Sequence, residues 1–284
     1  MSKVLVTGGS GFIGSHVASY LKMLGHNVDA PSRQELNLLD RDEVLHYLDK
    51  NSYDVVAHFA SPSPVRSPRI DSYDRLFKDS LSIFMNMAAG SSLYGRMLYS
   101  GSGAEYDKRN DIILVKEEEI GQSIPLDDYG LAKYIMNDMA RFSSNIYNLR
   151  IFACFGPGEY KDKFITHAIR CCRNNKPITI RQDCRFDYLY IDDYAKAVAH
   201  FVTHAPKWHD YNVTSSTRVL LSAIASIVKE ELGCKSEIQI SNDGFAPEYT
   251  ASNQRLLAEM NDIKFMNINE AIHKYVATKG VEWE

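Results

Sequence analysis

Lys3-Val-Leu-Val-Thr7-Gly8-Gly9-Ser10-Gly11-Phe-Ile-Gly14-Ser-His16 is the stretch that decides the fold. Apolar β-formers run straight into clustered glycines, and an apolar-periodic pattern from Phe12 to Leu24 follows. The order reads as strand, tight turn and helix. Gly9, Gly11 and Gly14 satisfy G-x-G-x-x-G, and Gly8, Gly11 and Gly14 satisfy the related G-x-x-G-x-x-G. Glycine lets the backbone turn sharply and approach a pyrophosphate, while the helix N-terminus offers free N–H groups and a positive dipole end. An ordinary βα turn uses the same small residues, so the motif gains weight only from the strand before it and the helix after it. Gly8, Gly11, Phe12, Ile13 and Gly14 are the expected dinucleotide contacts.

Downstream, residues 27–30 read as a second strand ending in Pro31-Ser32-Arg33. NAD-binding folds usually carry an acid here for the ribose 2′-OH. A cation in its place suits a 2′-phosphate and favours NADP(H) over NAD(H), with Asp29 the alternative acid if the register is shifted. Ser32, Arg33, Asn37 and Leu38 are therefore further cofactor candidates. Residues 40–50 have helical spacing with Asp40 as N-cap. Residues 53–60 form a near-continuous apolar run, as a buried parallel strand does, with Ala60 at its cofactor end. Residues 61–69, with three prolines and two arginines, read as a loop. A helix over 72–89 and a strand over 96–99 come next, so β and α alternate. An α/β doubly wound parallel sheet of Rossmann type is expected.

In the second half, a helix is expected over 129–143 and a strand over 147–155. Beyond Gly156-Pro157-Gly158 the pattern is a helix over 163–173, short strands over 178–181 and 188–191, and a helix over 194–203. A strand over 210–213 and helices over 220–232 and 267–278 close the chain. Alternation is less clean here, which suggests a smaller mixed substrate lobe. The expected division is 1–157 plus roughly 186–205 for the Rossmann domain, and 158–185 plus 206–284 for the lobe.

Across 284 residues, 45% hydrophobic and 24% charged content are ordinary for a globular protein, and the net charge of −4 argues against nucleic acid as a partner. No apolar run approaches membrane-helix length, and no leader precedes the first strand. The five cysteines show no C-x-x-C and read as reduced structural thiols, with no metal site and a cytoplasmic location expected.

The chemistry centres on Tyr129-Gly-Leu-Ala-Lys133, whose i, i+4 spacing puts both side chains on one helix face. An ammonium beside a phenol lowers its pKa and lets it pass a proton to or from a carbinol oxygen. Lys133 could also reach the nicotinamide ribose. Y-x-x-x-K is common by chance, and a surface Tyr/Lys pair is the alternative. Between the glycine turn and this pair lies a serine-rich strand end, Ser100-Gly101-Ser102-Gly103-Ala104-Glu105, where Ser102 could polarise a substrate carbonyl.

These three motifs resemble the extended short-chain dehydrogenase/reductase family. Arg150-Ile-Phe-Ala-Cys-Phe-Gly156-Pro157 and Arg185-Phe-Asp-Tyr-Leu-Tyr-Ile-Asp192-Asp193 strengthen the match, which covers nearly the whole chain. The segment from Arg33 to Asp40 is similar to GDP-fucose synthases, and Asp162-Lys163-Phe164 with the stretch to Asp193 is similar to paratose synthase. The resemblance implies a nucleotide-diphosphate-sugar substrate. It implies Tyr129 as proton donor or acceptor, Lys133 as its activator and Ser102 as hydroxyl partner. Lys163, Arg185 and Arg255 become candidate substrate contacts, the two guanidinium forks suiting a diphosphate. It also implies a homodimer formed by the helices over 72–89 and 129–143. The family's dehydratases follow the hydroxyl residue with Asp-Glu, where this chain has Gly103 and Ala104. GDP-fucose synthases place a cysteine and a histidine for epimerisation where this chain has Ala104 and Lys163. Glu105 is either a substitute acid or base, or a supporting residue. What remains is reduction of a 4-keto-6-deoxysugar in deoxysugar and surface-polysaccharide biosynthesis. An NAD-retaining 4-epimerase and a non-catalytic NAD(P)-sensing regulator are the alternatives.

Overall fold

The computed structural model describes residues 1–62, 71–261 and 263–278. Apart from Ser61 and Pro62, the loop expected over 61–69 lies outside them. The first half runs β1 (Lys3–Thr7), α1 (Phe12–Met23), β2 (Asn27–Asp29), α2 (Arg41–Asn51), β3 (Tyr53–His58), α3 (Leu76–Ala89), β4 (Tyr94–Ser102), β5 (Ile112–Val115), α4 (Asp128–Arg141), β6 (Ile146–Ile151) and β7 (Cys154–Phe155). The second runs α5 (Phe164–Arg173), β8 (Ile178–Asp183), β9 (Arg185–Phe186), β10 (Leu189–Tyr190), α6 (Ile191–Thr203), β11 (Asp210–Val213), β12 (Val219–Leu220), α7 (Leu221–Leu232), β13 (Ile238–Phe245), β14 (Tyr249–Ala251), α8 (Gln254–Glu259) and α9 (Ile268–Ala277).

Six strands form a parallel sheet in the order β11-β6-β4-β3-β1-β2, the Rossmann-type architecture expected. Direction reverses at β1, so the crevice at the carboxyl ends of β1 and β3 is the switch point where such sheets bind ligands. Alternation along β1 explains how both faces are covered. Val4 and Val6 pack with Val17, Leu21 and Val198 of α1 and α6. Leu5 faces the other way, onto Val44, Phe84, Met87 and Met136 of α2, α3 and α4. Local signals set several ends: Asp40 caps α2 by accepting from the Glu43 amide at 3.0 Å, and Asn267 with Glu270 forms a capping box on α9.

The smaller lobe has its own core of Ile165, Ile169, Ile224, Val228, Ile272 and Tyr275, contributed by α5, α7 and α9. Its strands form the sheet β12-β9-β14-β5 and the pair β13-β8. Two elements cross the expected division. β11 completes the parallel sheet past residue 205, and β5, from the first half, pairs with β14 of the lobe. α6 begins at Ile191, so Asp192 and Asp193 occupy its first turn rather than preceding it, where carboxylates favour the helix dipole. The cysteine expectation is also corrected. Cys172 and Cys234 form a disulfide, because α5 and the segment after α7 bring their Cα atoms to 5.6 Å across 62 residues of sequence. Cys154, Cys171 and Cys184 stay free, and the thiol argument for a reducing compartment falls away. Among the described residues, no helix is long and apolar enough to cross a membrane.

Candidate active site

The glycine turn is built for close approach. Gly8 has φ +72°, and a Cβ on it would sit 2.7 Å from the Ala60 amide nitrogen. A Cβ on Gly14 would collide with the Gly8 carbonyl. The Gly11 amide donates to that same carbonyl at 2.9 Å, and α1 starts at Gly11 with no capping side chain and no acid in its first turn. The positive end of its dipole therefore faces this turn, where an anion is favoured. From here a cleft of about 1320 Å³ runs along the switch point into the lobe. Gly8, Gly11, Phe12, Ile13, Gly14, Ser32, Arg33, Asn37, Leu38 and Ala60 all line it. A cradle that any Cβ would fill, beside an uncapped helix, fits a dinucleotide pyrophosphate.

At the β2 tip the donors are engaged. Arg33 forms a two-pronged ion pair with Asp71, each Nη donating at 2.9 Å, and the Ser32 amide donates to Glu35 at 2.8 Å. Asp29, the alternative ribose acid, accepts from the Tyr53 hydroxyl at 2.8 Å.

Ser102 ends β4, and Tyr129 and Lys133 lie one turn apart on α4, whose N-cap Asp127 accepts from the Gly130 amide at 2.9 Å. Ser102 and Tyr129 line the cleft. Lys133 is buried beside them, donating from Nζ to the Ser100 carbonyl at 2.7 Å, with its ammonium 6.0 Å from the Tyr129 ring centre. Burial lowers its pKa to about 8, against the opposing pull of the Glu105 charge. The structure corrects one expectation here. Burial raises the Tyr129 pKa, the neighbouring Ser102 hydroxyl only partly offsets this, and Glu105 and Asp127 add to the rise. Lys133 turns its ammonium to the Ser100 carbonyl, and burial sets the direction of the Tyr129 shift. Tyr129 accordingly keeps its proton at neutral pH.

Glu105 is fully buried and turned away from the cleft. It accepts from the Ser102 amide at 2.9 Å and from Arg150 Nε at 2.7 Å, with Asn148 also donating to it. Arg150, equally buried, continues to Asn212 at 2.9 Å and Asp210 at 3.0 Å. Glu105 supports the Ser102 turn and is not a cleft acid or base. His58, at the end of β3, is held down to about 3 by burial and the Lys133 charge, and bonds Thr7 at 2.8 Å.

The substrate candidates separate. Lys163 lines the cleft at the N-cap of α5. Arg185 is exposed on β9, next to the lining residue Phe186, and its charge acts on the lining residue Glu248. Arg255 is not brought to the cleft. Asp210 at 2.8 Å and Glu118 at 3.1 Å hold its guanidinium, which stacks over Trp208. It is a structural ion pair. Sequence reasoning missed Tyr249 of β14, which lines the cleft and packs at 5.0 Å ring-to-ring on both Phe152 and Phe186. Its hydroxyl is where a Cβ on Gly103 would go, so Gly103 makes room for it. A three-residue strand gives almost no periodic signal that could have found it.

Fold and site together define a Rossmann-type dinucleotide-binding protein with a Ser–Tyr–Lys centre. Residues 4–214 match the NAD dependent epimerase/dehydratase family, and the chain belongs to it. The "dTDP-D-glucose 4,6-dehydratase" of Dictyostelium discoideum is 26% identical over 75% of this chain, which spans only 58% of that protein. The "Spore coat polysaccharide biosynthesis protein SpsK" of Bacillus subtilis is 23% identical, with 99% of each chain covered. Among solved structures, a GDP-L-fucose synthetase from Naegleria fowleri bound to NADP superposes with a TM-score of 0.82. It is 15% identical, over 96% of this chain and 92% of that one.

Proposed function

We propose that this chain is an NAD(P)H-dependent reductase of the C-4 ketone in a nucleotide-diphosphate-linked 4-keto-6-deoxysugar, serving deoxysugar and surface-polysaccharide biosynthesis. One observation supports reduction over the family's eliminations and carbanion epimerisations. Ser102 and Tyr129 face the cleft with Tyr129 protonated, whereas the positions that follow Ser102 offer no second acid or base: Gly103 and Ala104 have none, and Glu105 is locked on Arg150. Elimination, and epimerisation at the carbons beside the ketone, need such a group; ketone reduction does not, and neither does an NAD-retaining C-4 epimerase, which the experiment below separates. The polysaccharide and nucleotide-sugar roles in the relatives' names support the substrate class.

A bound dinucleotide supplies the hydride. Ser102 and Tyr129 donate hydrogen bonds to the ketone oxygen as it gains negative charge, and Tyr129 passes its proton to that oxygen. Lys133 holds the Ser100 carbonyl and so fixes the strand end carrying Ser102. Lys163 and Arg185 are the diphosphate contacts. For the cofactor, Arg33 supports NADP(H), with its bond to Asp71 opposing. Association as a homodimer through α3 and α4, and a cytoplasmic setting, belong to the same proposal.

The test is incubation with NADPH or NADH and a panel of dTDP-, GDP- and CDP-linked 4-keto-6-deoxyhexoses. Loss of reduced-nicotinamide absorbance with one member is expected. A sugar nucleotide epimerised with no net loss would instead establish the NAD-retaining epimerase.

A further inference from the structure

The β2 tip carries a feature that neither the glycine motif nor the Ser–Tyr–Lys centre explains. Its guanidinium is engaged end-on by a carboxylate from another part of the chain: Arg33 Nη1 meets Asp71 Oδ1 and Nη2 meets Oδ2, both at 2.9 Å. Asp71 is 6% exposed and Arg33 56%, so the acid forms the wall and the cation rests on it from the solvent side. Both line the cleft that begins at the glycine turn. A second carboxylate, Glu35, takes the Ser32 amide. Arg33 and the Ser32 amide, two groups that could grip a ribose 2′-phosphate, are thus already holding carboxylates.

On the reading that the cleft binds a nicotinamide dinucleotide, we infer that Asp71 sets the choice between NADH and NADPH by competing with the 2′-phosphate for Arg33. The argument is electrostatic. A 2′-phosphate brings close to two negative charges, and the guanidinium of Arg33 that would meet them is already held by the Asp71 carboxylate. Binding NADPH must displace the Asp71 fork or place phosphate beside a fixed carboxylate, and like charges in contact oppose binding. NADH brings no such group, and its ribose 2′-OH can donate to a carboxylate at the tip. Arg33 therefore does not give the strong NADP(H) preference that an unpaired arginine would; the wild-type protein binds the two dinucleotides within a few-fold of each other.

Dissociation constants for NADH and NADPH, read by nicotinamide fluorescence without sugar substrate, test this. Asp71→Asn keeps the shape and removes the charge; it should tighten NADPH about five- to tenfold and leave NADH within about twofold. Arg33→Met should weaken NADPH selectively, and adding it to Asp71→Asn should cancel the gain. Glu35→Gln, on the exposed edge of the tip, should move NADPH in the same direction by less. If Asp71→Asn leaves the NADPH/NADH ratio unchanged or lowers it, Asp71 is not the selector. A fold lost through Asp71→Asn would show as both affinities falling together, and Arg33→Met then decides: no selective loss of NADPH overturns the inference. Wild-type protein that binds neither dinucleotide would instead overturn the proposed function itself.

Discussion

On the dinucleotide side of the cleft, the wall is one continuous turn, Gly8 to Gly14, with the tips of β2 and β3 beside it. On the substrate side, Ser102, Tyr129, Phe152, Lys163, Phe186 and Tyr249 arrive from six separate elements or their flanks. The first side is held by backbone geometry: a positive φ at Gly8 and a close approach at Gly14. The second is held by a buried charge network, Glu105–Arg150–Asp210, and by aromatic packing among Phe152, Phe186 and Tyr249. The difference teaches that the dinucleotide half rests chiefly on its glycine backbone, and the substrate half on side chains paired and packed across long stretches of sequence.

The sharpest break lies where the two sides meet. Tyr129→Phe should cost turnover about 10²–10⁴-fold while dinucleotide affinity stays unchanged, measured as single-turnover rates beside a binding titration. Next is the network beneath Ser102. Glu105→Ala leaves the fully buried Arg150 with Asp210 as its remaining carboxylate partner in the network and should cost about 3–5 kcal/mol in denaturant unfolding. Gly14→Ala should act on the other side alone, weakening dinucleotide about 10- to 100-fold through the clash with the Gly8 carbonyl. The two arginines separate the sides more finely. Arg185→Ala should raise the sugar-nucleotide KM about tenfold. Arg255→Ala should leave KM alone and cost about 1 kcal/mol of stability, as expected for a partly exposed ion pair. pH gives the gentlest probe. Lys133, lowered to about 8, is charged below that value and neutral above it, so kcat/KM should be level near neutrality and fall as pH rises through about 8.

How much of this was legible follows from the range of each signal. The glycine turn, the helical i, i+4 pair and the apolar strands are local patterns, and the parallel sheet and the lining residues near β1 to β3 follow from them. Arg255 looked like a diphosphate clamp because nothing nearby in sequence reveals that Asp210, 45 residues away, holds it. Glu105 and Arg150 are likewise 45 residues apart, so the sequence left Glu105's role open. The lowered phenol pKa was misjudged because i, i+4 spacing shows the Lys133 charge but not the burial of Tyr129, which pushes the other way. Tyr249, β5 and the Cys172–Cys234 disulfide are short or pairwise features that exist only once the lobe has closed.

The central claim is a net hydride transfer from the dinucleotide to a sugar ketone. Nicotinamide cofactor carrying deuterium at C-4, mixed with the 4-keto sugar nucleotide, tests it most directly. One deuterium at C-4 of the product sugar, with one cofactor oxidised per sugar, is the result expected. Epimerised sugar with the cofactor still reduced, or no label in the sugar, would contradict it.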